Sequence, residues 1–253
     1  ARGDLGEIFR VHMVCSNWFR TQAYYDSGAW RGTWDGEGGG VLLNQAPHHL
    51  DLFQWIGLGL PKRITAMIET REHKIEVEDT ANILCDYGKG RVGYIYATTA
   101  EQPGMEQLVV SGDKGTLKWD GGQCMFGKLA VPISKYLYGC REVWADAKLS
   151  QKCTWKEVTS PKGGGGHIEI TKRFVRQIQR GTKECFASGP DALVELEISN
   201  AAYLSGYTGK TVDLPVDADA MERLIGKLER ERSTGKGGAM RTAARKRLRA
   251  MLR

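Results

Sequence analysis

Residues 80–99 read Thr80-Ala81-Asn82-Ile83-Leu84-Cys85-Asp86-Tyr87-Gly88-Lys89-Gly90-Arg91-Val92-Gly93-Tyr94-Ile95-Tyr96-Ala97-Thr98-Thr99. Two runs rich in Ile, Val, Tyr and Thr flank the turn cluster Tyr87-Gly88-Lys89-Gly90, which predicts two strands joined by a tight hairpin. The same residues contain Gly88, Gly90 and Gly93 at the literal spacing of a dinucleotide-binding fingerprint. That fingerprint needs a helix directly after its glycines, and Tyr94 to Thr99 is a strand pattern instead. The glycines therefore make a turn.

Working outward, short strand-like segments occupy Ile8 to Phe19, Arg63 to Thr70, Gln107 to Ser111 and Gly115 to Trp119, with a second hairpin signal at Gly112-Asp113-Lys114-Gly115. From Gly121 to Lys156, around Trp144 and Trp155, the pattern weakens to irregular strands. Helical periodicity then runs over His167 to Arg180, Pro190 to Leu204 and Ala218 to Glu231. Strands in series followed by helices predict an α+β domain: a large open, mainly antiparallel sheet with helices on one face. No strand-helix-strand alternation suggests a doubly wound dinucleotide domain. Gly209-Lys210-Thr211 resembles the end of a phosphate-binding loop, yet Leu204 stands where its first glycine belongs and a short strand follows.

At 253 residues and 41% hydrophobic content the chain is long enough to bury a full core. It has no run of about 18 apolar residues and no basic-then-apolar leader, so a cytoplasmic protein with no membrane partner is expected. Six cysteines lie scattered without a CxxC pair. They predict neither a metal site nor a disulfide framework, but reduced, mostly buried thiols. The net charge of +6 is a property of the end of the chain: Lys236 to Arg253 holds seven basic residues and no acid, and without them 29 basic residues face 30 acidic ones. This argues against a nucleic-acid partner for the body. A break at Ser233 to Gly238 divides residues 1–232 from a basic helical tail, 233–253, with Met240, Ala244, Leu248, Met251 and Leu252 on one side. Such a tail suits an anionic membrane, nucleic acid or a partner groove, and more commonly a solvated or loosely docked terminus.

The strongest functional signal precedes the sheet. Gly38-Gly39-Gly40-Val41-Leu42-Leu43-Asn44-Gln45-Ala46-Pro47-His48-His49-Leu50-Asp51 leads from glycines into a helix, with Asn44, His48 and Asp51 at i, i+4 and i+7 along one stripe. Pro47 places the helix start near Ala46, or kinks it there, leaving Asn44 at or just before the first turn. An imidazole between an amide and a carboxylate can move protons. The alternative is a satisfied polar pair on a helix buried through Val41, Leu42, Leu50, Leu52, Phe53, Trp55 and Ile56. The four glycines before His167 would suit an anion cradle or a mobile loop at an active-site mouth.

These blocks, together with Trp30-Arg31-Gly32-Thr33-Trp34, Val77-Glu78-Asp79-Thr80, Val110 to Leu117 and Asn200 to Pro215, resemble the C-terminal domain of the glucose-fructose oxidoreductase / inositol dehydrogenase / rhizopine catabolism (Gfo/Idh/MocA) family over most of residues 3–225. The resemblance implies an NAD- or NADP-dependent oxidoreductase acting on a sugar, inositol or related polyol. Its N-terminal Rossmann domain would lie outside these residues and bring an assisting lysine. It also implies that His48 is the acid or base on the substrate hydroxyl, that Asn44 takes an aspartate's position, and that Asp51 matches a carboxylate near the substrate. Trp30, Arg31, Trp34 and His167 would approach the substrate. Asn44 cannot ionise, which shifts the proton work to His48. Without its cofactor half the chain would be inactive, whether as a fragment, a truncated product or part of a split enzyme. A homo-oligomer through the open sheet is expected, and a non-catalytic oligomerisation or binding module derived from the family is the alternative reading.

Overall fold

Strand alternation decides which side of this protein is covered. In the computed structural model, which describes residues 3–144, 152–159, 165–182 and 187–233, nine strands form one sheet in the order β8-β7-β6-β5-β1-β4-β3-β2-β9. The strands are β1 (Ile8–Cys15), β2 (Arg63–Glu69), β3 (Thr80–Gly88), β4 (Arg91–Thr98), β5 (Glu106–Gly112), β6 (Gly115–Asp120), β7 (Gln123–Leu129), β8 (Cys153–Glu157) and β9 (Val212–Asp213). All neighbours pair antiparallel except β1 with β4, where Met13 lies opposite Ile95 in parallel register. The Gly88 to Arg91 link is a two-residue hairpin, with positive φ at both central residues, Lys89 (54°) and Gly90 (73°). Positive φ at both positions gives a turn whose twist matches the sheet.

Six helices are described: α1 (Gln22–Asp26), α2 (Pro47–Ile56), α3 (Ile133–Gly139), α4 (His167–Arg180), α5 (Gly189–Thr208) and α6 (Ala218–Ser233). Helix α2 packs on β1, α5 packs on β2 and on α2, and α6 packs on α5. Between them and the sheet lie Leu50, Phe53, Ile64, Ile83, Ile95, Ile198 and Tyr203, all fully buried. Each such side chain contributes about 1.5–3 kcal/mol of burial. Along β2 and β3 the alternate residues Met67 and Leu84 face outward and are more than half exposed, with Val92 and Tyr94 beside them on β4. Among the described residues no helix packs on this face.

The expected α+β architecture is therefore present, and three local readings change. Residues 121–156 contain a helix as well as strands: α3 starts where Asp113, from the β5–β6 turn, accepts Ile133 N–H on its carbonyl and Ser134 N–H on its carboxylate, each at 2.8 Å. That start is set at long range and leaves no local sequence signal. Helix α1 forms inside an expected loop, capped by Thr21. Of the five cysteines described, only Cys15 and Cys85 are buried, while Cys124, Cys140 and Cys153 are half-buried at the far sheet edge. Cys185, most of the glycine run before His167 and the basic tail from residue 234 lie outside the described residues. No described helix is long and apolar enough to cross a membrane.

Candidate substrate site

A buried carboxylate builds the glycine loop. Glu78, at the approach to β3, accepts Gly40 N–H on both oxygens (3.2 and 3.0 Å), Leu42 N–H at 3.0 Å and the Tyr203 hydroxyl at 2.8 Å. A Cβ on Gly40 would stand 1.8 Å from the Glu78 carbonyl oxygen, so only glycine fits there. Burial pushes the Glu78 carboxyl up to about 7, against the hydrogen bonds from Leu42, Tyr203 and Gly40 that favour its charged form.

This clamp delivers Asn44 in a turn closed by Asn44 N–H to Gly40 O (3.0 Å), just ahead of α2, whose N-cap is Ala46 and whose first residue is Pro47. The Asn44 Nδ2 group donates to Glu37 Oε1, and Oδ1 accepts from Gln45 Nε2 at 2.7 Å. Because a carboxylate only accepts, Glu37 fixes which end of the Asn44 amide is nitrogen. His48 is exposed on the first turn of α2. Asp51 is exposed one turn on, accepts from Gln54 Nε2 at 2.9 Å, and adds to the burial that raises the Glu195 carboxyl. The three residues thus share one end of α2, but the bonds of Asn44 and Asp51 go elsewhere than to His48. Neither His48 nor Asp51 is part of a buried polar pair.

The neighbouring imidazole behaves differently. His49 is buried, with Nε2 2.6 Å from Glu106 Oε1 and Nδ1 3.3 Å from the Cys15 sulfur. Glu106 fixes the proton on Nε2, which leaves Nδ1 to accept the thiol hydrogen. Although Cys, His and Glu stand in a nucleophile-like series, burial and then the Glu106 charge push the Cys15 thiol up to about 12. The series is an anchor that ties the start of α2 to β1 and β5.

The loop 18–34 divides its expected substrate residues. Trp30 is half exposed, and the Arg31 guanidinium lies 4.4 Å from its ring and 4.3 Å from that of Tyr24. Arg31 Nη1 donates to the Tyr24 hydroxyl at 2.6 Å, and Gln45 Nε2 donates to the same oxygen at 3.3 Å. Arg31 is thereby joined to Asn44 through Tyr24 and Gln45. Trp34, by contrast, is buried edge-on against Tyr203 and Tyr207, at 5.5 and 5.8 Å between ring centres. His167 is exposed at the head of α4, and its described hydrogen bond is through its own carbonyl, from Thr171. Beside Arg31 opens a cavity of about 500 Å³ whose lining includes Gln22, Tyr25, Asp26, Lys74 and Glu76. Sequence reasoning missed Tyr24, Glu37, Gln45 and Glu106. Gln45 alone carried a local signal, as a polar residue next to Asn44.

No group of three His, Cys, Asp or Glu among the described residues could hold a metal ion. The one dinucleotide-like glycine spacing, Gly88 to Gly93, is the β3–β4 hairpin and not the strand-turn-helix of a dinucleotide fingerprint.

The model of the GFO/IDH/MocA C-terminal domain matches residues 1–118. No curated protein matches the chain by sequence. Among solved structures, the chain is similar to the WlbA dehydrogenase of Chromobacterium violaceum in complex with NADH and UDP-GlcNAcA (28% identity, TM-score 0.65, 85% of this chain and 57% of that one). It is similar also to the WlbA dehydrogenase of Bordetella pertussis with the same two ligands (26%, TM-score 0.63, 85% and 57%). An NAD binding oxidoreductase of Klebsiella pneumoniae shares the fold (21%, TM-score 0.64, 85% and 61%). The chain thus spans a little over half the length of the WlbA chains it matches.

Proposed function

We propose that this chain, whose residues 1–118 match the model of the GFO/IDH/MocA C-terminal domain, is the substrate-handling part of an NAD(P)-dependent oxidoreductase. Its substrate is a sugar, inositol or related polyol, and its place is the cytoplasm. The NADH and UDP-GlcNAcA bound to the two WlbA dehydrogenases support this reading and extend the substrate class to sugar nucleotides. The cofactor supplies the redox chemistry from residues other than those described.

The observation that carries the proposal is an amide fixed in direction next to an exposed imidazole. Asn44 spends one N–H on Glu37 and one lone pair on Gln45, which leaves one of each for a substrate hydroxyl. His48, in solvent on the first turn of α2, takes or returns the hydroxyl proton. Trp30 offers a flat face to the C–H side of a sugar, and Asp51, His167 and Trp34 complete the proposed set. For Trp34 the role is indirect, through the packing that holds the loop.

The test is a titration of the chain followed by NMR. On adding UDP-glucuronic acid or myo-inositol, the Asn44 side-chain amide and the His48 ring signals shift together and saturate. Shifts confined to other residues contradict the assignment. A second reading, self-association through the bare sheet face, is favoured by the exposed Met67, Leu84, Val92 and Tyr94. Light scattering tests it: a strict monomer at high concentration rules it out.

A further inference from the structure

Two guanidinium groups share the ring of Tyr24, and among the described residues neither forms an ion pair with a carboxylate. Arg20 lies 4.8 Å from the ring of Tyr24 and 5.3 Å from that of Trp18, and Arg31 lies 4.3 Å from the same Tyr24 ring and 4.4 Å from Trp30. Among the described residues no ion pair involves either arginine. Of the nearby carboxylates, Glu37 is occupied by Gly32 N–H and Asn44 Nδ2, Asp26 accepts from Gln22 Nε2, and Glu76, which lines the cavity beside Arg31 with Asp26, accepts Trp34 N–H.

Three further groups at this place lack a partner of the right kind. The Tyr24 oxygen accepts two hydrogen bonds, from Arg31 and Gln45, so its own hydrogen points to an acceptor that the described residues do not provide. Arg20 Nε is buried and unpartnered. Gln45 is 2% exposed, and its Oε1 is a buried acceptor without a donor. Orphaned polar atoms of this kind are costly unless something fills them, and here they fall beside two guanidinium groups. An oxyanion satisfies the guanidinium forks and the Tyr24 hydroxyl, and a ligand hydroxyl satisfies Gln45 Oε1.

We propose that Arg20, Tyr24, Arg31 and Gln45 form an oxyanion-reading subsite that makes the substrate an acidic sugar, bearing a carboxylate or phosphate next to the hydroxyl presented to Asn44. The inference rests on the sugar-binding reading above and sharpens it. Arg20 and Arg31 are specificity determinants, and Gln45 couples the anion to the Asn44 amide.

The experiment uses tryptophan fluorescence, since Trp18 and Trp30 border the two cations, and titrates the chain with glucose, glucuronate, glucose 6-phosphate and acetate. An acidic sugar binds on the order of ten-fold more tightly than glucose. Glucuronate as the preferred probe assigns the anion to a carboxylate, and glucose 6-phosphate assigns it to a phosphate. Arg20→Gln and Arg31→Gln each erase that preference and leave the unfolding midpoint in place. Equal binding of glucose and both acidic sugars overturns the subsite while the sugar reading stands. Acetate binding as tightly as glucuronate overturns the sugar reading while the guanidinium site stands. A preference that survives in both variants, or no response to any probe, overturns the proposal.

Discussion

Tyr203 donates its hydroxyl hydrogen to Glu78 Oε1 at 2.8 Å, joining helix α5 to the approach to β3 across 125 positions of sequence. Both groups are fully buried, and Gly40 N–H reaches both of them. The loop that delivers Asn44 is therefore held from inside the core. Glu78→Ala strands the Gly40 and Leu42 N–H groups and costs about 2–4 kcal/mol in urea unfolding, whereas Glu78→Gln retains an acceptor and costs under about half of that.

The same carboxyl gives the fold a signature in pH. Its folded value, about 7, lies above the ordinary 4.5, so the fold holds the proton more tightly than the unfolded chain does. Its contribution is complete below pH 4.5 and is lost as pH rises to about 7, amounting to about 3 kcal/mol at most. Asp79, held below its ordinary value by the 71–73 backbone N–H groups and His73 despite its burial, acts in the opposite sense at lower pH. The difference between wild type and Glu78→Gln isolates the Glu78 part. It changes between pH 4.5 and 7 and is flat above.

Asn44→Asp sets a second carboxylate against Glu37. At neutral pH the like charges destabilise the loop by about 1–3 kcal/mol, and the penalty shrinks on acidification because the pair then shares a proton. Glu37→Gln in the same chain restores stability at neutral pH, as thermal unfolding of the single and double variants will record.

Adjacent histidines separate the chemical role from the structural one. His49→Ala removes the bonds to Glu106 and Cys15 from a buried site and costs about 2–4 kcal/mol. His48→Ala, at an exposed position, moves the unfolding free energy by less than about 0.5 kcal/mol. In the folded protein Cys15 resists alkylation that reaches Cys124 and Cys153.

What the sequence makes legible follows from the range over which each signal acts. Gly88-Lys89-Gly90 declares its hairpin because positive φ is a local demand, and the helical periods of α4, α5 and α6 are equally local. The parallel pairing of β1 with β4 and the start of α3 on Asp113 depend on partners some 80 and 20 residues away, and no window of sequence contains both ends. In the candidate site, Asn44 and His48 stand out as polar residues on an apolar stretch. Trp34 stands out equally, yet its ring is taken up by Tyr203 and Tyr207. Arg31 is named by the family resemblance, whereas Arg20 reads as an ordinary surface cation until the fold sets both on Tyr24, with no ion pair to either among the described residues.

The most direct test of the central claim is nicotinamide reduction by this chain joined to a dinucleotide-binding half from a WlbA dehydrogenase, with wild type and His48→Ala compared on the same acidic sugar. The account predicts turnover in wild type and a loss of at least about 100-fold in kcat for the variant, with cofactor affinity unchanged. Equal turnover in the two proteins would contradict it.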